Sequence, residues 1–289
     1  MNNLSTKQNS LFHPVDIAHV HLPGNIFLAP VAGYSDRAFR SVCYDLGCNF
    51  SYTEMVSTEA LIRCNLKTEQ LMQRALNEPQ YAVQIFGSNP DSMGMAACIV
   101  QQTMHPEVID INCGCPVPKI IKTGSGSALT RDPEKLGAVV HAVKKSLANF
   151  TTEQNKTSSL QTLPAPVTVK IRSGWDSSSL TWKEAALAAL ENGADAITLH
   201  PRTRAQGYEG KADWTILAQL VELIDNRIPV SSAIFFDVNA PVISATVGHL
   251  SDNAAVRFVH THTVWATVVD TQLTHTDHIS KNNAFGVQL

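Results

Sequence analysis

A (β/α)8 barrel is the fold that three observations predict for this chain. Short apolar runs alternate with helical periodicity from Ile26 to Val230 without a long break. The runs are rich enough in Val, Ile and Ala to need cover on both faces, as parallel strands do. Polar residues recur at their carboxyl ends, and no Gly-x-Gly-x-x-Gly follows the first run, which argues against a doubly wound dinucleotide fold.

The elements follow in order. Ile26 to Pro30 reads as a strand, Asp36 to Leu46 as a helix, Phe50 to Thr53 as the next strand and Thr58 to Cys64 as a helix. Ala82 to Phe86 is a strand, and Pro90 to Gln102 is a helix that opens on proline, where a missing N–H costs nothing. Val108 to Asn112 is a strand, and Asp132-Pro133 opens a helix running to about Ala148. The polar stretch Asn149 to Thr162 reads as a solvated loop. Val167 to Ile171 is a strand, Thr181 to Asn192 a helix, Ala196 to His200 a strand and Trp214 to Ile224 a helix, and Ile228 to Val230 begins another strand.

With 289 residues, 44% of them hydrophobic, the chain suits one large α/β domain, alone or with a small appendage. No apolar run is long enough to span a bilayer, and Met1 to Gln8 lack the basic-then-apolar order of a leader, so a cytoplasmic location is expected. The six cysteines (Cys43, Cys48, Cys64, Cys98, Cys113 and Cys115) are irregularly spaced, which predicts reduced thiols. Cys113-Gly114-Cys115 has no second close pair after it, so a structural zinc is not expected. The formal net charge of −3 gives no general attraction to nucleic acid; an RNA would need a local basic surface.

Pro30, Thr53-Glu54, Gln84, Asn112 to Cys115, Lys170 and His200 each close a strand, and in a barrel such positions converge on one mouth. Cys115, stiffened between Gly114 and Pro116, is read as a catalytic thiol, nucleophile or proton donor, against the alternative of a buried packing cysteine. Cys113 is read as packing. Lys170, ending an otherwise apolar strand, would neutralise an anion, either a phosphate or the electron-rich ring of a reduced flavin. The alternative is a stem that packs while the ammonium reaches water. His200, Arg202 and Arg204 follow the sixth strand and suit phosphate or base-edge contacts, or form a solvated basic loop. Gln84 offers both donor and acceptor to a planar heterocycle, or caps a turn. Gly124-Ser125-Gly126-Ser127 is similar to a phosphate-cradling loop, a weak signal on its own.

Seven ordered blocks resemble the tRNA-dihydrouridine synthases, most closely the bacterial subfamily labelled B. They are Leu28 to Asp36, Thr53 to Val56, Val83 to Gly87, Asp110 to Pro116, Lys122 to Leu129, Lys170 to Trp175 and His200 to Tyr208. The resemblance implies a TIM barrel that reduces uridine to 5,6-dihydrouridine in tRNA, with FMN as cofactor and NADPH as the reductant in a separate half-reaction. It implies that Pro30, Val31, Ala32, Gln84, Lys170 and His200 line the FMN site. Asn112 would hold the target uracil, Cys115 would give a proton to C5 as hydride reaches C6, and Arg202 and Arg204 would contact the substrate nucleotide or the tRNA backbone. The target base must leave its stack to reach such a site. Neither metal nor membrane is implied, and a monomer is expected.

After Pro229-Val230 the resemblance stops. The family continues with two glycine-rich turns that hold the FMN phosphate, and then a helical domain that grips tRNA. Here Ser231 to Asp237 follow, with no glycine until Gly248. Residues 231–289 contain no Glu, one Lys and one Arg, so they lack the charged faces of barrel helices. The barrel is therefore expected to be incomplete at its last strands and the family's helical domain absent. An FMN-binding domain is expected over residues 1–230 and an atypical tail over 231–289, either disordered or the product of a reading-frame shift near codon 230. His249, His260, His262, His275 and His278 are not taken for a metal site, and Val264 to Val269 reads as a β-prone stretch. The rival reading is a truncated or decayed member of the family, catalytically impaired. A flavin barrel acting on a small molecule is disfavoured by the block from His200 to Tyr208.

Overall fold

The computed structural model describes residues 12–235 and 265–270. It opens on an antiparallel hairpin, β1 (Val15–Ile17) and β2 (Val20–Leu22), turned through Ala18 at φ 50°. Three-residue strands are too short to show a period, and sequence reasoning passed over them. β3 (Ile26–Leu28) leads to α1 (Arg37–Asp45), whose first turn is capped by Asp36 accepting from Phe39 N at 2.8 Å. Next come β4 (Ser51–Tyr52), β5 (Val56–Ser57), α2 (Thr58–Ile62) and α3 (Leu66–Met72), the last capped by Asn65. β6 (Tyr81–Phe86), α4 (Pro90–Met104) and β7 (Val108–Cys113) are followed by the short α5 (Pro118–Ile121) and α6 (Ser127–Arg131).

The long α7 (Pro133–Thr157) corrects the expectation of a loop from residue 149. The helix continues because Leu147 and Thr151 remain buried, and the Thr151 hydroxyl accepts from Gln101 Nε2 of α4 at 3.3 Å. A polar composition alone does not end a helix that still has a face to bury. β8 (Val167–Arg172), α8 (Trp182–Glu191), β9 (Ala196–His200), α9 (Trp214–Ile224), β10 (Val230–Phe235) and β11 (Trp265–Asp270) complete the described elements.

The sheet is curled and almost wholly parallel. β6, β7, β8, β9 and β10 pair in that order, and β4 pairs in parallel with both β3 and β6. β11 runs antiparallel between β10 and β3, with Ala266 opposite both Ile234 and Leu28. The pairings therefore return on themselves, with seven parallel strands and one reversed strand in the ring. Where an incomplete barrel was expected, the eighth place in the ring is taken by the reversed β11, which covers the edges that β10 and β3 would otherwise expose. It coincides with the stretch read as β-prone. Residues 1–11, 236–264 and 271–289, and with them His249, His260, His262, His275 and His278, lie outside the described residues.

The central strands alternate rather than running uniformly apolar, which corrects the sequence reading. Val83, Ile85, Ile109, Ile111, Val169, Ile171, Ile197 and Leu199 pack outward against α4, α7, α8 and α9 in the larger core. The residues between them, Gln84, Asp110, Asn112, Thr168, Lys170, Thr198 and His200, face the other way. At the amino ends of the strands this inner face is closed by apolar packing. Val15, Ile17 and Leu22 of the hairpin meet Phe27, Phe50, Tyr52, Ala82, Val108 and Ala196 there. The hairpin thus plugs one end and leaves the polar residues to the other. Among the described residues no helix is long and apolar enough to cross a membrane.

Candidate active site

Strand register assembles the site. Gln84 stands opposite Asp110, Asp110 opposite Thr168, Asn112 opposite Lys170, and Arg172 opposite His200. Because inward residues recur every second position, these neighbours share the inner face at the carboxyl ends of β6 to β9.

Asp110 anchors a chain of hydrogen bonds. Its Oδ2 accepts from Gln84 Nε2 at 2.7 Å and its Oδ1 from the Thr168 hydroxyl at 2.5 Å. An acceptor at Nε2 fixes the Gln84 amide, so Gln84 Oε1 turns to Asn112 Nδ2 at 2.8 Å. Asn112 Oδ1 then accepts from the backbone N–H of Gly114 at 3.2 Å and of Cys115 at 2.9 Å. Gln84, Asn112 and Thr168, on three adjacent strands, and Gly114 and Cys115 in the turn after β7 therefore have their orientations set by one buried carboxyl.

The Cys115 turn is also held from its other side. The Ser127 N–H donates to the Cys115 carbonyl at 3.0 Å, and the Ser127 hydroxyl donates to the carbonyls of Gly114 and Cys115 at 2.8 and 2.9 Å. Arg172 Nε donates to the Gly114 carbonyl at 2.8 Å, and Thr130 to that of Cys113 at 2.5 Å. Gly126 sits at φ 63°, and a Cβ there would stand 2.7 Å from the Cys115 carbonyl oxygen. The stretch from Gly124 to Ser127 is thus a buttress for the cysteine turn, where a phosphate cradle was one reading. Burial pushes the Cys115 thiol up, against weaker downward pulls from a backbone hydrogen bond, Arg172 and Lys170, so the thiol holds its proton at neutral pH. Cys113, on the outward face, is fully buried, as a packing residue should be. All six cysteines are free.

Lys170 is half-buried, and among the described residues its ammonium has neither a hydrogen-bond acceptor nor an ion-pair partner. Desolvation, reinforced by Arg172 and opposed by Asp110, brings it down to about 8. His200 is buried and lies against the ring of Tyr208, with centroids 6.1 Å apart. Desolvation first, then Lys170, Arg172 and Arg202, hold it well below its ordinary value, so it is a neutral imidazole. Arg202 Nη1 lies 3.4 Å from His200 Nε2, while Arg202 Nε is buried without a partner among the described residues.

Not every expected residue joins this group. Pro30, Val31 and Ala32 occupy the turn between β3 and α1, where Ser35 accepts from Val31 N at 2.9 Å and Glu54 accepts from Gly33 N at 2.5 Å. No hydrogen bond joins them to Gln84 or Asn112. Arg204 stands apart, over the indole of Trp175. Sequence reasoning missed Asp110, Thr168 and Arg172 as site residues. The signal was present: an acid within Val108-Ile109-Asp110-Ile111 cannot be buried without partners.

Burial raises Asp110 from 3.8 to about 6. A carboxyl raised by folding contributes stability that is full below pH 3.8 and is lost as pH climbs through 6. Urea unfolding between these limits is therefore expected to show wild-type protein losing on the order of 3 kcal/mol relative to Asp110→Asn. Parallel pH profiles for the two proteins would contradict this account of the carboxyl. Among the described residues no group of three or more His, Cys, Asp or Glu side chains is placed to hold a metal.

Fold and site together define an α/β protein with a protonated thiol and a polar, cation-rich cluster of side chains at the carboxyl ends of parallel strands. The family model described as dihydrouridine synthase matches residues 27–232, and the chain belongs to that family. It is 52% identical over 216 residues to a probable tRNA-dihydrouridine synthase of Treponema pallidum (strain Nichols), covering 75% of this chain and 60% of that protein. It is 34% identical over 214 residues to tRNA-dihydrouridine synthase B of Pasteurella multocida (strain Pm70), covering 74% and 59%. A probable tRNA-dihydrouridine synthase of Rickettsia prowazekii (strain Madrid E) is 31% identical over 220 residues, covering 75% and 61%. The chain thus spans about 60% of the length of these relatives.

Proposed function

We propose that this protein reduces uridine to 5,6-dihydrouridine in tRNA, with FMN bound in a (β/α)8-type barrel formed largely by residues 1–230. The observation that carries this reading is the Asp110–Gln84–Asn112–Cys115 chain, which fixes two amides and the backbone of the residue that bears the protonated thiol. The donors suit a planar, anionic cofactor: Lys170 and Arg202 Nε have no acceptor among the described residues. Lys170, Gln84 and His200 would hold FMN, with Pro30, Val31 and Ala32 along its edge. FMN, reduced by NADPH, supplies hydride for the C6 position of the pyrimidine when bound.

The chain's own residues do the rest. Asn112 holds the uracil edge, and its geometry is fixed before the base arrives, so no ordering cost falls on binding. Cys115 gives its proton to C5, a role that needs the neutral thiol burial provides. Neutral His200 is a hydrogen-bonding group that adds no positive charge beside Lys170. Arg202 and Arg204 contact the nucleotide or the backbone around it. The protein acts as a monomer in the cytoplasm, where its tRNA substrate is.

Purified protein is expected to carry a flavin absorbance spectrum and, with NADPH, to add two hydrogens to a uridine of unmodified tRNA, read by mass spectrometry of the digested nucleosides. Colourless protein that leaves uridine intact would overturn the reading and favour a catalytically impaired member of the family. The rate is expected to fall as pH rises through about 8, where Lys170 loses its charge. In Lys170→Met this limb should be missing from an already lowered profile; a limb that persists would assign the titration to another group.

A further inference from the structure

The ion pairs with buried or half-buried partners lie at one end of the sheet. Arg40–Glu78, Arg74–Glu107 and Lys144–Asp195 join residues at the amino ends of β6, β7 and β9 to neighbouring helices and turns. At the carboxyl end, where Cys115 lies, the cations are arranged differently. Arg131 closes α6, in the connection that also carries Cys115. Trp175 follows β8, and Arg204 follows β9. The two guanidinium carbons stand 4.7 and 4.6 Å from the centroid of the Trp175 indole ring. Arg204 N donates to the Gly174 carbonyl at 2.8 Å and Ala205 N to the Trp175 carbonyl at 2.9 Å, so two of the three connections are tied together.

Among the described residues, neither guanidinium has an ion-pair partner or a hydrogen-bond acceptor. The acid next to the ring, Asp176, accepts from the hydroxyl and the backbone N–H of Ser178, at 2.6 and 2.9 Å. These bonds first, and the charge of Arg131 last, hold its carboxyl below the ordinary range, but it makes no ion pair with that guanidinium. An aromatic face restrains a guanidinium while leaving its N–H edge free for a planar or tetrahedral oxyanion. Both guanidiniums lie over the same ring, which gathers two positive charges at one place beside the connections after β7, β8 and β9. Guanidiniums over the ring also leave the indole a rest for cations, not a platform for a base. The net charge of −3 leaves local clusters of this kind to attract a polyanion.

We propose that Arg131, Trp175 and Arg204 form a phosphate-binding stack that holds the backbone of the RNA strand carrying the target uridine. This rests on the reading of the chain as a tRNA-uridine reductase and adds Arg131 and Trp175 to its substrate surface. The stack stands on the connections that flank the thiol, so a strand gripped there passes beside it.

The test is binding of a labelled, unmodified tRNA transcript to the full-length protein, by fluorescence anisotropy over a range of potassium chloride concentrations. R131Q and R204Q are each expected to weaken binding several-fold and to lower the slope of log affinity against log salt by about 1. Lys145→Gln makes the same charge change on the outer face of α7 and is expected to alter neither quantity. Trp175→Leu keeps both charges but removes their seat, and it should weaken binding too. Arg131 is exposed, so R131Q is expected to melt with the wild type. Affinity and slope unchanged in R131Q would overturn the proposal, as would an equal loss in Lys145→Gln. Binding is read without turnover, so wild-type protein that reduces no uridine would count against the reaction, whereas R131Q binding as wild type does would count against the stack.

Discussion

Cys115→Ala is expected to leave flavin bound and reducible by NADPH while dihydrouridine formation falls by about 10²–10⁴-fold, the range for loss of a positioned general acid. The substitution removes one sulfur atom from a turn whose shape does not depend on it. Asn112 still accepts from the backbone N–H of residue 115, and Ser127 still binds its carbonyl. Turnover and fold are therefore separable in this variant. The two readouts are flavin reduction under anaerobic conditions and nucleoside analysis of the product RNA. Normal turnover in the alanine variant would move the proton to another donor. Cys115→Ser should fall between the two, because a hydroxyl fits the turn and is a weaker acid.

Arg40→Met is expected to remove roughly 3–5 kcal/mol of unfolding free energy, as breaking one partner of a buried ion pair does. Arg40 and Glu78 are both 0% exposed and meet at 2.9 Å. Arg40 also donates to the carbonyls of Ser35 at 2.9 Å and Gln73 at 2.7 Å. Glu78 accepts from Ala75 N at 2.9 Å and from the Ser51 hydroxyl. One guanidinium thus ties α1 to the turn before it, to the end of α3 and, through Glu78, to β4. Methionine fills much of the volume but strands Glu78 as an uncompensated charge. The double variant Arg40→Met/Glu78→Leu should recover part of the loss, since removing both charges abolishes the imbalance. Urea denaturation measures all three proteins, and a single variant within about 1 kcal/mol of wild type would show the pair to be no stronger than a surface pair.

Much of the sheet was legible from residues 81 to 230 because the strands there are rich in Val and Ile, five or six residues long and bounded by strong helix caps such as Asn89-Pro90 and Asp132-Pro133. What escaped were elements whose reason for existing is tertiary. The hairpin from Val15 to Leu22 is a pair of three-residue strands, stable because it closes an apolar end. The helix from Leu66 to Met72 reads as polar and is held by its Asn65 cap and the burial of Thr68 and Met72. The site was legible as a set of strand ends, and the register brings Gln84, Asn112, Lys170 and His200 together as neighbours. Its organising residue was not. Val-Gln-Ile, Ile-Asp-Ile-Asn and Val-Thr-Val-Lys-Ile-Arg look like apolar runs with polar ends, yet they alternate strictly, and the alternation is what puts Asp110 opposite Gln84 on the inner face. Reading the period first would have found it.

The reversed strand β11 has a consequence for how the protein is made. Thr267 pairs with Phe27, about 240 residues earlier in the chain, so the seam joins strands made far apart in time. Until residue 270 has left the ribosome, β3 and β10 present rows of unpaired N–H and C=O groups while the rest of the sheet is already able to form. Contacts of such long range are slow to close. A growing chain therefore carries the open margin of β3 until β11 has been made, joined late by that of β10, and its yield in the cell depends on how well these margins are shielded from other nascent chains.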